Sequence, residues 1–166
     1  MTRSGDDGRL GDDAVVRYVE TGWVGELQGY AFDPRRYLEV LPGLIGSLPP
    51  GARDFIAEET HYDFTSDRCV KDLVLGRVIL RGGDATVVFD GSPWKHREGL
   101  TLDYSGVQSF DYDLATARED YYGNPAIMLD EILPLDEGFS HEMALGTGDL
   151  MIVARELTFS WRSPKS

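Results

Sequence analysis

Two glycines between two alternating apolar segments predict a β-hairpin near the middle of this 166-residue chain. The segments Arg77–Leu80 and Ala85–Phe89 flank the sequence Arg81-Gly82-Gly83-Asp84. Glycine tolerates the positive φ that a tight hairpin turn requires, and side chains alternate between the two faces of a strand. The predicted register therefore puts the apolar residues of both segments on one face and sets Arg81 opposite Asp84.

The strand pattern continues toward the end of the chain. From Leu100 to Leu114 the apolar residues fall mainly at even positions, which is typical of strands with one packed face. Between Leu150 and Trp161 the alternation changes phase near Arg155-Glu156. One extra residue there would restore the alternation, so we predict a β-bulge.

A second hairpin would bring a glutamate and a histidine onto the packed face. Ile127–Leu135 and Phe139–Leu145 flank Asp136-Glu137-Gly138, which is typical of a three-residue turn. With that turn, Glu131 and His141 share the otherwise apolar face, diagonal to each other on adjacent strands. Charged groups on a packed face need a partner, so the two are predicted to form a buried polar pair. The pair would be a structural contact in the core or a ligand- or proton-handling pair in a pocket.

Two short helices precede these strands. Asp33-Pro34 is a helix start signal, and we predict a helix from Arg35 to about Leu41, ended by Pro42-Gly43. Pro49-Pro50 opens a second helix. Its apolar stripe consists of Ala52, Phe55 and Ile56.

These elements predict an α+β, mainly antiparallel β fold, either a sandwich or a partly open barrel of six to eight strands. Residues 1–13 contain three glycines, four aspartates and no aromatic residue, so we expect a flexible tail there. A single globular domain would then span residues 14–166. A chain of this length can bury a core without disulfides, and its one cysteine cannot form an internal disulfide.

Carboxylates are concentrated in the second half of the chain. Between Glu98 and Ala154 there are 12 acidic residues and one basic residue, Arg118. A strand can place such side chains on one wall while the opposite wall packs, and an acidic wall attracts basic surfaces. We therefore expect an outward-facing acidic sheet surface that binds a basic protein partner, formed by Asp103, Asp111, Asp113, Asp130 and Glu142. The alternative explanation is that exposed carboxylates only keep a β-protein soluble and unpaired at its edges.

Charge and hydropathy disfavour two classes of partner. A net charge of −13 disfavours nucleic acid. The longest run without Asp, Glu, Lys or Arg is Val40 to Ala52, which is interrupted by three prolines and is too short to span a bilayer. The first 13 residues lack the apolar core of a secretory signal, so we expect a cytoplasmic protein.

The chain has no phosphate-binding loop, metalloprotease motif, nucleophile elbow or paired-cysteine motif, so we expect no cofactor and favour a non-enzymatic protein. The second hypothesis is a metal-binding protein or a metal-dependent enzyme that uses His61, Asp63 and His141, because imidazole and carboxylate groups bind divalent metals. Scattered polar residues with local hydrogen bonds would give the same pattern. Cys69 with a histidine could form a nucleophile–base pair, although free cysteine is more often a buried small hydrophobe.

Two further features could bind a ligand. Trp94-Lys95-His96-Arg97 is a basic, aromatic loop, which suits either a binding anchor or a lid over the core edge. A third hypothesis for the whole protein is a barrel that binds a small molecule. Its lining would be Tyr104, Phe110, Tyr112 and Trp161.

Short motifs over about residues 55–161 give a family resemblance. In chain order they are His61-Tyr62-Asp63, Leu100-Thr101-Leu102-Asp103-Tyr104 with Val107 behind it, Leu129-Asp130-Glu131-Ile132, His141-Glu142 and Glu156-Leu157. This order resembles small bacterial β-rich domains, some of which resemble immunity proteins of contact-dependent toxin systems. The resemblance implies a mainly β fold, no established catalysis and no transferable active-site residue. Its specific functional expectation is a toxin-neutralising binding protein.

Overall fold

The computed structural model describes residues 18–24, 29–117 and 124–163. The predicted flexible tail, residues 1–13, lies outside the described residues. The described part contains two α-helices, α1 (Arg35–Leu44) and α2 (Pro50–Ile56). Its strands, in chain order, are β1 (Glu20–Val24), β2 (Gly29–Asp33), β3 (Val74–Arg81), β4 (Asp84–Asp90), β5 (Gly99–Ser105), β6 (Ser109–Asp113), β7 (Ile127–Leu135), β8 (Gly138–Leu145), β9 (Gly148–Ala154) and β10 (Glu156–Arg162).

Eight of these strands form two four-stranded antiparallel sheets, and β1 and β2 form a separate hairpin. Sheet I has the strand order β10-β5-β4-β3, and sheet II has the order β6-β9-β8-β7. The two sheets do not close into a barrel. The predicted α+β, mainly antiparallel β fold is therefore confirmed.

The hydrophobic core lies between the two sheets and beneath the helices. Tyr104 on β5 and Phe139 on β8 are both fully buried, and their rings stack with centroids 6.3 Å apart. The apolar series predicted for the Arg77–Phe89 hairpin continues this packing, since Ala85, Val87 and Phe89 are buried.

The glycine hairpin is confirmed in register. Arg81 pairs with Asp84 and Val78 with Val87, and Gly82 adopts a positive φ of 60°. Strand β3 is the edge of sheet I, so the inward-facing Leu80 stays exposed although its neighbour in β4 is buried.

The phase change near Arg155 has a different cause from the predicted bulge. Strand β9 pairs with β6 and β8 in sheet II, whereas β10 pairs with β5 in sheet I. The chain crosses from one sheet to the other at Arg155, and the inward position therefore moves from Ala154 to Leu157. The bulge prediction was wrong because a sheet crossing changes the alternation in the same way.

Helix α1 extends three residues beyond its predicted end at Leu41. Pro42 lies inside the helix, which continues to Leu44, and the amide of Ile45 donates to the carbonyl oxygen of Leu41. The hydroxyl of Tyr37 donates to the carbonyl oxygen of Ile132 at 2.6 Å, which ties the helix to β7.

Helix α2 packs closely against β10. Its predicted apolar stripe is buried, and Glu156 Oε1 accepts hydrogen bonds from the amides of Gly51 and Ala52 at 3.0 and 3.3 Å. A Cβ at Gly51 would lie 1.7 Å from the carbonyl oxygen of Leu157, so glycine permits this approach. Across the described ranges, the structure contains no helix of the length and apolar character that a membrane span requires.

Candidate functional site

Sheet II carries carboxylates on the face directed away from sheet I. Residues directly opposite each other in an antiparallel pair point to the same side. Glu131 pairs with Glu142, Glu142 with Met151, and Met151 with Asp111. Two residues further along the strands, and therefore on the same face, Ala144 pairs with Asp149 and Asp149 with Asp113. We call this surface the acidic face, and its members are Asp111, Asp113, Glu131, Glu142 and Asp149.

The acidic face differs in two members from the predicted surface. Asp103 lies on sheet I, where it is exposed and accepts a hydrogen bond from Thr86 Oγ1 at 2.6 Å. Asp130 is 1 % exposed and points into the core. The remaining three predicted residues, Asp111, Asp113 and Glu142, do share a face.

Only the edge of the acidic face is exposed. Asp111 and Asp113 lie on β6, the edge strand of sheet II, and both are exposed. Glu131, Glu142 and Asp149 are buried, which corrects the expectation of an outward-facing Glu142. Glu131 Oε2 accepts hydrogen bonds from the amides of Tyr18 and Val19, at 2.6 and 3.0 Å. A partner can therefore reach this face directly at Asp111 and Asp113.

A second group of polar side chains forms a hydrogen-bonded chain inside the core. Asp130 on β7 accepts from two histidines: its Oδ1 lies 2.8 Å from His61 Nε2 and its Oδ2 lies 2.8 Å from His141 Nε2. His141 Nδ1 lies 2.7 Å from the hydroxyl of Tyr104 on β5. All four side chains are at most 2 % exposed. We call them the buried cluster, and they link sheet I, sheet II and the loop that follows α2.

The hydrogen-bond acceptors around His61 show which of its ring nitrogens carry protons. Nδ1 of His61 lies 3.3 Å from the carbonyl oxygen of Phe55, and its Nε2 faces the Asp130 carboxylate. An imidazole ring donates through both nitrogens only as the protonated cation. His141 Nε2 donates to Asp130, and its Nδ1 shares a hydrogen bond with the hydroxyl of Tyr104, a group that can donate or accept. The charges of His61 and Asp130 then compensate each other, as buried charges must.

The electrostatics of the buried cluster support this assignment. Burial opposes ionisation of Asp130, but the charges on His61 and His141 and the hydrogen bonds from both histidines outweigh it and lower the pKa of the carboxyl group well below its ordinary value. Burial, together with the charge on Asp130, raises the pKa of Tyr104, so its hydroxyl stays protonated and able to donate. The hydroxyl of Tyr62 also donates to the backbone carbonyl of Asp130, at 2.5 Å.

The prediction that His141 pairs with Glu131 is wrong, because its partner is Asp130. Both residues are fully buried, but they point to opposite faces, because Ile132 and not Glu131 shares a face with His141. The cause is the length of the hairpin loop. Leu135 pairs with Gly138, so the loop has two residues instead of three, and a shift of one residue reverses the facing of a strand. Asp130 thereby takes the place predicted for Glu131.

Two of the three metal ligands predicted from the sequence lie close together in the structure, and the third does not. His61 and His141 converge on Asp130. Asp63 is exposed, and its carboxylate accepts hydrogen bonds from the amide and the hydroxyl of Thr65. The two Nε2 atoms that would bind an ion each lie against a different carboxylate oxygen. Over residues 18–24, 29–117 and 124–163, no three side chains of His, Cys, Asp and Glu are grouped to hold a metal ion.

Cys69 lies outside the buried cluster. It is fully buried, and its thiol donates to the carbonyl oxygen of Lys71 at 3.4 Å. Burial raises the pKa of the thiol. The thiolate that nucleophilic catalysis requires is therefore disfavoured.

The loop from Trp94 to Arg97 is fixed to the same region. His96 Nε2 donates to the carbonyl oxygen of Cys69 at 2.9 Å, and its Nδ1 accepts from the amide of Ser92. Lys95 forms an ion pair with Asp72 at 2.8 Å. Lys95 and His96 thus hold two loops together, while Trp94 projects with 73 % of its surface exposed.

The aromatic residues assigned to a ligand-binding barrel do not line one lumen. Tyr104 is part of the buried cluster, and Trp161 lies on the same face of sheet I. Phe110 and Tyr112 belong to sheet II, opposite Ile152 and Leu150. Because the two sheets do not close, the barrel that the third hypothesis assumes is absent from the described residues.

Comparison with known proteins found no match to a family model, to a curated protein or to a solved structure.

Proposed function

We propose that this chain is a non-enzymatic binding protein that recognises a basic protein partner through its acidic face. One observation carries the proposal: the four strands of sheet II contain six carboxylates and no lysine or arginine, and the strand register puts five of the six on one face. Surfaces of a single charge steer oppositely charged partners and fix their orientation.

The polar groups of the core support a binding role over catalysis. Each ring nitrogen of His61 and His141 already has a hydrogen-bond partner inside the protein. Catalytic acids and bases must reach a substrate, and the four side chains of the buried cluster are each at most 2 % exposed. The buried cluster therefore acts in stability, and recognition is left to the surface.

Neutralisation of a toxin, as by an immunity protein, is the specific form of this proposal. Its support is the resemblance over about residues 55–161 together with the acidic face. A toxin that cleaves or binds nucleic acid carries a basic surface, and an acidic face competes for that surface.

The test compares capture by the immobilised protein with capture by two matched double variants. One variant, Asp111→Asn with Asp113→Asn, neutralises the exposed edge of the acidic face. The control, Asp84→Asn with Asp90→Asn, removes two exposed carboxylates from sheet I. The immobilised wild type and both variants are incubated with a lysate of the cells that make the protein, at about 50 and about 300 mM salt. The electrostatic screening length differs clearly between these two salt concentrations.

We expect a basic protein to be captured at low salt and released at high salt. The purified partner should then bind the Asp111/Asp113 variant at least tenfold more weakly than the wild type, and the control variant with unchanged affinity. Equal affinity for the three proteins, or no partner at either salt, would contradict the proposal.

A further inference from the structure

A groove between the two helices has an apolar floor and an acidic rim. Its volume is about 610 Å³, within the range of about 300–1,000 Å³ that ligand sites occupy. The apolar lining comes from α1, from Ile45 just after it and from the end of α2. Its members are Leu38, Leu41, Pro42, Ile45 and Ile56.

The rim of the groove carries one sign of charge. Glu58, Glu59 and Asp63 line it, and none of the lysines or arginines that the structure describes does. No ion pair connects any of the three to another of the described residues. Hydrogen bonds from Thr65 lower the pKa of Asp63, so this carboxylate remains ionised.

The groove has a fixed floor and an exposed wall. Leu41 and Ile56 are buried, whereas Leu38 is 42 % exposed and so presents apolar surface at the side of the cleft. Tyr62 lines the groove and binds the backbone of Asp130, so the cleft is attached to the buried cluster. A preformed cleft of this kind loses little conformational entropy when it is filled.

We infer that the α1–α2 groove binds an amphipathic segment of a protein partner, whose apolar side chains enter the cleft while flanking lysines or arginines contact Glu58, Glu59 and Asp63. Charge complementarity identifies the occupant: an uncharged ligand would leave the three carboxylates unmatched, and an acidic one would be repelled. Helix α1 is ten residues long, or about 15 Å, so the groove matches two to three turns of a docked helix. The inference rests on the proposed function only in taking the partner to be basic.

The probe is a fluorescein-labelled peptide of about 14 residues, four helical turns, with leucine at positions i, i+3, i+4 and i+7 and lysine elsewhere. Fluorescence polarisation measures its affinity for the full-length protein at about 150 mM salt, where the screening length is about 8 Å. We expect saturable binding. A second peptide with serine in place of every leucine tests whether charge alone suffices, and it should bind at least tenfold more weakly.

Three variants locate the peptide-binding site. Leu38→Ser should weaken the peptide at least fivefold, while Leu114→Ser, at another exposed leucine, should leave its affinity unchanged. Glu58→Gln with Glu59→Gln should weaken it at least fivefold and reduce its salt dependence. All substituted side chains are at least partly exposed, so the variants should fold, and circular dichroism checks this.

The Asp111/Asp113 variant separates this inference from the proposed function. It should bind the peptide like the wild type, since those residues lie on sheet II. If that variant binds the natural partner normally but Leu38→Ser weakens peptide binding at least fivefold, the acidic-face proposal fails and the groove stands. Equal peptide affinity for the wild type and Leu38→Ser overturns the groove, as does equal binding of the leucine and serine peptides. A stable dimer in light scattering that Leu38→Ser dissociates would also overturn it, because a second copy would then be the occupant.

Discussion

Asp130→Asn tests the buried cluster directly. The carboxylate accepts from His61 and His141 at 2.8 Å each, and it is the counter-charge of the His61 cation. Asparagine has nearly the same shape, but it offers one acceptor and one NH₂ donor, so one histidine N–H would face another donor. Removing one partner of a buried ion pair costs about 3–5 kcal/mol.

That loss is large against the whole stability of a domain, which is typically about 5–15 kcal/mol. For a chain of this size it corresponds to a fall in Tm of roughly 6–20 °C, at about 2–4 °C for each kcal/mol. Urea unfolding at pH 7, followed by tryptophan fluorescence and far-UV circular dichroism, measures the free energy of unfolding. The control is Asp111→Asn, an exposed carboxylate on the acidic face, which should change stability by no more than about 0.5 kcal/mol.

The pH dependence gives the same prediction a second readout. The pKa of Asp130 is lowered in the folded protein, so its contribution is present above the unfolded value of about 3.9 and is lost as the pH falls through the folded value. The stability difference between the wild type and Asp130→Asn should therefore shrink below about pH 4. A loss under about 1 kcal/mol at pH 7, or a difference that does not shrink in acid, would refute the proton assignment.

Three further experiments test the packing of the core. Tyr104→Phe removes only the hydroxyl that is hydrogen-bonded to His141 Nδ1, so we expect a loss of about 1–3 kcal/mol in urea unfolding. An unchanged stability would show that this hydrogen bond is not needed. Gly51→Ala places a Cβ against the backbone of β10 and should cost about 1–3 kcal/mol, whereas Gly46→Ala, with open space around it, should not; equal stability of the two variants would argue against the close approach of α2. The Cys69 thiol is buried with a raised pKa, so a disulfide reagent should label it only after unfolding, and rapid labelling of the folded protein would contradict its burial.

The sequence was sufficient for the elements whose turn chemistry is local. The Gly82-Gly83 hairpin has the predicted register, because glycine fixes the loop length and the apolar alternation fixes the face. The stripe of α2 is buried as predicted, because i, i+3 and i+4 spacing defines a single helical face. Helix α1 was predicted too short, since a proline inside a helix does not always end it.

The buried cluster could not be derived from the sequence because it depends on one loop residue. Asp136-Glu137-Gly138 suits a three-residue or a two-residue connection, and only the second turns His141 toward Asp130. Tyr104 and His61 come from parts of the chain that only the packing of the sheets and helices brings together. One signal was present: Asp130 and Glu131 interrupt the apolar run Ile127–Leu133, and such a run is typical of a strand buried on both faces.

Because Asp130 and Glu131 are neighbours on one strand, the stability of this protein and its proposed partner binding depend on opposite faces of β7. Asp130 and Glu131 are consecutive in β7, so one points into the core and the other to the acidic face. A substitution in the buried cluster should therefore lower the amount of folded protein without changing the affinity of each folded molecule for a partner. Asp111→Asn with Asp113→Asn should do the reverse, because both residues are exposed on an edge strand. If the buried-cluster variants instead weakened binding in proportion to their destabilisation while remaining fully folded, the core and the acidic face would be coupled through β7.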